Sequence, residues 1–193
     1  MRSSRTSIVV AAALLLCACS DAGPRGRRAA RPLTDFDALT VEQTACLFNC
    51  PVFEVKIFSD GRVRHSGPSF EHTGGAHESR IDDQGLAQIA KALRDARLDE
   101  MRDRYSEAAD GCELPATDMS TILVSLSRGR GYRNKSVEIY TGCLGPSVPT
   151  ERINALIKAI DPVTGTGALL EQREQAARMR QRPAGDSLPG PRG

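Results

Sequence analysis

The chain has 193 residues, and its 26 Lys and Arg against 24 Asp and Glu give a formal net charge of +2. Residues 35–162 carry 20 acidic against 15 basic side chains, which excludes the basic folded surface typical of nucleic-acid-binding domains. We therefore expect no nucleic acid partner. Trp is absent and aromatic residues make up 4% of the chain, so the core must consist of Leu, Ile, Val and a few Phe.

The first 18 residues have the pattern of a secretory signal peptide. Arg2 and Arg5 precede an unbroken run of apolar and small residues at positions 8–16. This run is shorter than the about 20 apolar residues that span a bilayer, and its basic start matches a signal peptide that is removed on export. A buried core helix or a membrane anchor is the alternative interpretation.

The segment Leu16-Cys17-Ala18-Cys19 resembles the lipobox of bacterial lipoproteins, although Cys17 stands where those proteins usually have Ala or Ser. The resemblance implies cleavage before Cys19, acylation of its thiol and attachment to a lipid bilayer. Two or more acyl chains anchor a protein stably. Ser20 stands where an Asp can signal inner-membrane retention in enterobacteria, so we expect the periplasmic face of the outer membrane.

The rest of the chain divides into a linker, one domain and a tail. Residues 19–34 contain mainly Gly, Pro, Ala and Arg without apolar periodicity, which predicts a flexible, lipidated linker. Residues 35–162 suit one domain with one core. Residues 163–193 are predicted to be a polar tail, helical around residues 169–179 and then disordered.

Two predicted strands form a hairpin near the start of the domain. Residues 52–58 alternate between apolar and polar side chains, which is typical of a half-buried strand. The inward-facing side chains of this strand are Phe53, Val55 and Ile57. Asp60-Gly61 predicts a two-residue turn with positive φ at both positions, and a second strand continues through Val63 and His65.

A weaker third strand is predicted at residues 72–80, and a helix follows it. Asp82 or Asp83 is the expected N-cap of this helix. Its apolar stripe consists of Leu86, Ile89, Ala90 and Leu93. Gly85 in the first turn of the helix is expected to cost helix stability.

A second hairpin and a second helix complete the predicted domain. The strands lie at residues 120–127 and around Val137 and Ile139. Pro149 suits the first turn of a helix, and Pro162 is predicted to end it. The order β-β-(β)-α-β-β-α predicts an α+β fold, an antiparallel sheet of β-hairpins with two helices packed on one face.

Four cysteines remain after removal of the signal peptide and acylation: Cys46, Cys50, Cys112 and Cys143. An even number of cysteines in an exported chain predicts two disulfides. We favour Cys46 with Cys50 as the local pair, which leaves Cys112 with Cys143. The other two of the three connectivities stay open.

The run CLFNCPVF at residues 46–53, an alternating strand, Asp60-Gly61 and the later Tyr105 resemble domain of unknown function 6438, a family of exported bacterial domains. The resemblance extends over roughly residues 40–162. That family usually has Tyr at the last position of the run and a Gly between the cysteines, where this chain has Phe and no Gly. The resemblance implies the fold and an exported setting but no activity.

The spacing Cys46-x-x-x-Cys50-Pro51 also matches Sco-type copper chaperones, in which two thiols and a distant histidine bind copper. His65 is the candidate third ligand. In those proteins the motif opens a helix of a thioredoxin fold, whereas a strand follows it here. A periplasmic thiol-redox or copper-binding protein is therefore the alternative function.

The sequence contains no Gly-x-Ser-x-Gly and no His-Glu-x-x-His motif. We expect no catalytic residue, no cofactor and no metal in the leading hypothesis. Arg128, Arg130 and Arg133 fall at the predicted tip of the second hairpin, either as a solvated turn or as a contact for an anionic partner. The leading hypothesis is a membrane-anchored lipoprotein whose periplasmic domain binds or supports a protein partner.

Overall fold

The computed structural model describes residues 34–73 and 75–181. The signal peptide, Cys19 and almost all of the linker lie outside the described residues, as do residues 182–193. The strands are β1 (Ala38–Gln43), β2 (Phe53–Phe58), β3 (Arg62–Ser66), β4 (His77–Arg80), β5 (Arg104–Tyr105), β6 (Leu114–Pro115), β7 (Thr121–Ser127), β8 (Lys135–Tyr140) and β9 (Cys143–Leu144). The helices are α1 (Asp83–Ala96), α2 (Thr150–Thr164) and α3 (Thr166–Gln181), with short 3₁₀ turns at Pro68–Thr73, Leu98–Glu100 and Ala108–Asp110.

A seven-stranded sheet of order β4-β3-β2-β1-β7-β8-β5 forms the centre of the described domain. Its neighbours pair antiparallel except β5 and β8, which are parallel. The predicted α+β class is therefore confirmed. β1 was not among the predicted strands, yet it joins the two hairpins by pairing with both β2 and β7.

One face of the sheet carries the core. Because directly paired residues share a face, the alternating apolar positions of five strands lie side by side. The buried side chains are Leu39, Val41, Phe53, Val55, Ile57, Val63, Val124, Leu126, Val137 and Ile139. They form one cluster with the buried stripe of α1 and with Ile153, Leu156 and Ile160 of α2.

The helices form where the sequence supplies caps and apolar stripes. Asp82 caps α1, since its Oδ1 accepts a hydrogen bond from the backbone N–H of Gly85 at 2.8 Å. α1 and α2 pack against each other, and α3 packs against the turn at Pro68–Thr73. α1 and α2 correspond to the two helices predicted for the domain, and α3 covers the helix that was predicted around residues 169–179 of the tail. Within the described residues, no helix has the length and apolarity needed to cross a membrane.

Three local predictions were wrong. The hairpin turn between β2 and β3 has three residues, and only Gly61 has positive φ, at 84°. A three-residue hairpin loop needs only one left-handed residue, so Asp60 keeps a negative φ, and its carboxylate accepts the N–H of Arg62 at 3.1 Å. The expected third strand at residues 72–80 begins inside the 3₁₀ turn Pro68–Thr73, and only its last four residues, His77–Arg80, form β4.

The third error concerns Pro162, which lies inside α2 and does not end it. The helix runs to Thr164 and closes at Gly165, whose φ is 72°. Burial of Thr164 and the hydrogen bond from its hydroxyl to the carbonyl of Ile160, 3.2 Å long, hold the last turn. Tertiary contacts here override the helix-breaking preference of Pro.

Candidate docking site at the disulfide-closed loop

The loop between β1 and β2, residues 44–52, leaves one end of the sheet and is closed by Cys46 and Cys50. Their Cα atoms are 5.6 Å apart and their sulfurs are bonded. The N–H of Thr44 donates to the carbonyl of Thr121 at 3.0 Å, and the N–H of Leu47 donates to the carbonyl of Asp118, also at 3.0 Å. The loop is therefore fixed to the segment that leads into β7.

Two further hydrogen bonds hold the other side of this loop. The side-chain oxygen of Asn49 accepts a hydrogen bond from Nη2 of Arg173 on α3 at 3.1 Å. The N–H of Val52 donates to the hydroxyl of Ser69 at 2.7 Å, and Ser69 is buried. A loop with a covalent closure and contacts on both sides has little conformational freedom left to lose on binding.

The tip of the loop carries two large apolar side chains in solvent. Leu47 is 69% exposed and Phe48 is 81% exposed. Met119, 42% exposed, follows the Asp118 carbonyl to which the loop is bonded. Single exposed apolar residues are ordinary on protein surfaces, but adjacent ones on a rigid loop indicate a contact surface. We call Leu47, Phe48 and Met119 the apolar tip.

An apolar crevice of about 270 Å³ lies at the same end of the sheet. Pro51 and Phe53 line it from the loop and β2, Ile122 from β7, and Ile157 and Leu170 from the helices. The crevice places a concave apolar surface beside the start of the loop. Together with the protruding tip, it is the kind of surface that holds a partner's apolar side chains.

His65 lies in the core and away from solvent, with 0% of its surface exposed. Its Nε2 lies 3.1 Å from the hydroxyl of Thr166, which in turn lies 2.7 Å from that of Thr164. Burial is the main cause that lowers the pKa of His65 to about 4, and the electrostatic interaction with the nearby His77 is a smaller cause in the same direction. His65 is therefore a neutral core side chain that links β3 to the start of α3.

The alternative ligand set Cys46, Cys50 and His65 is not assembled in the structure. The two thiols are bonded to each other, and His65 is engaged with Thr166. Among the described residues, no three His, Cys, Asp or Glu side chains are grouped so that they could hold a metal ion.

Cys112 and Cys143 form the second pair, with their Cα atoms 4.9 Å apart. Both are buried, and they connect the segment before β6 to β9, which pairs with β6. This is the pairing that the sequence favoured. The position of the bond in the core indicates a structural role. Cys19, the predicted acylation site, lies outside the described residues.

Sequence reasoning did not identify the apolar tip. Leu47 and Phe48 were noted only as spacer residues between two cysteines. The available signal was their composition, since a disulfide loop with three residues between its cysteines is too short to bury two large side chains within itself. Met119 gave no such signal, because its position beside the loop depends on contacts between distant parts of the chain.

The fold and the cysteine pairs define a small disulfide-bridged α+β domain with one helix-covered sheet face. The sequence model of one family, Domain of unknown function (DUF6438), matches residues 37–163. The chain belongs to this family, and the match extends from just before β1 into the last turn of α2. No curated protein matches the chain.

Proposed function

We propose that the chain is a bacterial envelope lipoprotein whose folded domain binds a protein partner and catalyses no reaction. Cys19 carries the lipid and attaches the chain to the periplasmic face of the outer membrane. The basic start, the short apolar run and the lipobox-like segment before Cys19 support the membrane attachment. The apolar tip supports partner binding, and the 81% exposure of Phe48 is the observation that carries it.

The position of the tip favours a protein over the anchoring bilayer as its partner. The linker enters the domain just before Ala38, where the N–H of Asp37 donates to the carbonyl of Ser127. The loop leaves from the other end of β1, at Gln43. Six residues of strand separate these ends by about 20 Å. The tip therefore lies at the end of the sheet opposite the point where the linker enters the domain.

The physical gain comes from burying the tip in an apolar groove of the partner. Removing a Leu or Phe side chain from water is worth about 1.5–3 kcal/mol. Because the loop is closed by Cys46 and Cys50, little of that gain is lost to ordering it. The partner that fits is therefore a periplasmic protein with an apolar groove. An apolar side chain of the partner, next to the partner's groove, would enter the crevice that Pro51 lines on this chain.

Site-specific photocrosslinking in intact cells tests this proposal. A photoreactive residue replaces Phe48 in the full chain, and the control replaces Met179, which is 74% exposed on α3. We expect a discrete protein adduct from position 48 that is absent from position 179 and is lost when Leu47→Ser is added. The adduct partner, once purified, should bind the wild-type protein and not the Leu47→Ser variant.

Three outcomes contradict the proposal. Adducts of equal yield at both positions mean that the tip has no special contact. Adducts to lipid alone at position 48 mean that the bilayer is the partner. No adduct at position 48, in cells where the chain is present at wild-type level, means that the tip is free.

A further inference from the structure

The second face of the sheet carries mostly polar side chains, and no helix of the described residues covers it. Across its middle, one residue from each of five strands forms a row: Arg64 on β3, Lys56 on β2, Thr40 on β1, Ser125 on β7 and Ser136 on β8. The strand registers place each of these residues directly opposite the next. We call them the cross-strand row. It presents two cations followed by three hydroxyl groups.

The two cations of the row lie opposite each other, which is an unfavourable arrangement. Like charges directly opposite on paired strands destabilise a sheet. Glu78 on β4 lies opposite Arg64 on its other side. Even so, no described acidic side chain forms an ion pair with Lys56 or Arg64.

Two acidic residues of this face are likewise paired with each other. Two residues further along the strands, Glu54 lies directly opposite Glu42. Alternating the signs would have stabilised both pairs. Proteins keep locally unfavourable arrangements of this kind mainly at functional sites, such as a surface that binds a ligand. The charge pattern therefore marks the cationic half of this face as a site for an anion.

A groove of about 980 Å³ lies over the hydroxyl end of the row. Lys56, Thr40, Ser125 and Ser136 line it, with Arg133 and Asn134 from the turn between β7 and β8. Ser125 and Ser136 are 3.0 Å apart through their hydroxyl oxygens. The groove is large for an inorganic anion and lies within the range of sites that hold an organic ligand of many atoms.

Four charged residues of the groove lining form two ion pairs within the protein. Both terminal nitrogens of Arg128 donate to Asp99, at 2.9 and 2.8 Å. Lys135 donates to Asp103 at 2.6 Å. The charges within each of these pairs cancel. The other charged residues of the lining are the cations Lys56 and Arg133 and the acid Asp35. The net charge offered to a ligand is positive.

We propose that this groove binds an acidic saccharide. A carboxylate or phosphate group of the sugar binds Lys56 at the edge of the groove, with Arg64, which lies opposite Lys56 just outside the lining, as the second cation. The sugar hydroxyls exchange hydrogen bonds with the hydroxyl groups of the row. Tyr132, 74% exposed and lining the groove, supplies an aromatic face for a sugar ring. The part of this site formed by the cross-strand row lies on the sheet face opposite the core, and the groove shares no lining residue with the apolar tip.

Calorimetric titration of the purified full chain tests the proposal. The probes are hexagalacturonate for carboxylates, a phosphorylated mannohexaose for phosphates, neutral maltohexaose, and a single-stranded DNA hexamer. We expect one of the acidic sugars to bind at least about tenfold more tightly than maltohexaose and than DNA, since charge-assisted hydrogen bonds are the strong ones. The better acidic probe identifies the anionic group.

Three variants and one control variant locate the site. Lys56→Gln and Arg64→Gln should each weaken binding of the acidic sugar about tenfold, and Lys158→Gln, an exposed cation on α2, should leave it unchanged. Tyr132→Ala should weaken sugar binding but not binding of inorganic phosphate. Equal binding of DNA, equal binding of maltohexaose, absence of binding by both acidic sugars, or equal effects of Lys56→Gln and Lys158→Gln would each overturn the proposal.

Discussion

Gly85 on α1 faces Val163 on α2 so closely that a Cβ added at Gly85 would lie 2.8 Å from Cγ1 of Val163. The same Cβ would lie 3.3 Å from Cβ of Ile81. Gly85 is buried, and α1 and α2 pack against each other. The absence of a side chain at this position therefore sets how closely the two helices approach.

Replacing Gly85 with Ala should destabilise the domain. Helix propensity alone predicts a gain of about 1 kcal/mol, but overpacking against a stiff β-branched side chain costs about 1–3 kcal/mol. We expect Gly85→Ala to lower the free energy of unfolding in urea. Adding Val163→Ala should recover part of the loss. A Gly85→Ala variant more stable than wild type would contradict the close packing described here.

The buried His65 should make stability depend on pH. Its pKa of about 4 in the folded chain lies below the ordinary value of 6.5, so between these values the unfolded chain binds a proton that the folded chain excludes. The free energy of unfolding should therefore fall as the pH is lowered from 6.5 towards 4, by about 3 kcal/mol in total from this group. Above pH 6.5 His65 is neutral in both the folded and the unfolded chain, so it no longer makes the free energy of unfolding depend on pH.

Urea unfolding of His65→Gln at several pH values measures that contribution. The fall between pH 7 and pH 4.5 should be smaller in this variant than in wild type, whereas His77→Gln, at an exposed position, should keep most of it. An NMR titration of the wild-type imidazoles gives the same answer without a variant. A His65 resonance that titrates near pH 6.5 would contradict its placement in the core.

Removing each disulfide should have a different effect: loss of Cys112–Cys143 should mainly lower stability, and loss of Cys46–Cys50 should mainly abolish partner binding. Replacing Cys112 and Cys143 with Ala should cost about 3–4 kcal/mol, because that bond closes the longer loop. Replacing Cys46 and Cys50 with Ala should cost about 2 kcal/mol but should abolish the photocrosslink at position 48. Thermal unfolding and crosslinking yield, measured on both double variants, check this. If the crosslink were lost only in the variant that lacks Cys112 and Cys143, the proposed role of the Cys46–Cys50 bond in partner binding would be contradicted.

The like-charge pair on the second face of the sheet predicts a trade-off between the stability of the domain and its binding of the acidic saccharide. Lys56→Gln removes a like-charge pair with Arg64, so the free energy of unfolding should stay the same or rise by a few tenths of a kcal/mol. The same substitution should weaken binding of the acidic saccharide. Urea unfolding beside the calorimetric titration provides both values. A Lys56→Gln variant that is clearly destabilised would mean that Lys56 has a structural role.

Local patterns predicted much of this fold. Alternation identified β2 and β7, the Asp82 cap and an apolar stripe identified α1, and sequence proximity favoured the bond between Cys46 and Cys50. β1 escaped prediction because only Ala38, Leu39 and Val41 are apolar in it. Its place at the centre of the sheet comes from pairing with β7, which lies some 80 residues away. Such pairings depend on the whole chain and leave little trace in a short segment.

The candidate sites were harder to predict than the fold. Apolar residues in a sequence indicate burial, so the exposure of Phe48 and Leu47 emerges only when the rest of the core is complete. The cross-strand row brings Lys56 and Ser136 together through three strand registers, and no spacing in the sequence encodes that arrangement. The basic residues at the β7–β8 turn were noted, but Arg128 proved to be paired with Asp99.

The most direct test of the proposed membrane attachment is the intact mass of the native protein, extracted with detergent from envelopes of the bacterium that makes it. The proposal predicts a chain that begins at Cys19, carries a diacylglyceryl group on that thiol, and contains two disulfides with no free cysteine. Labelling with a fatty-acid analogue should be lost in Cys19→Ser and kept in Cys17→Ser. A chain that begins at Met1, lacks fatty acid and titrates as free thiols would contradict it.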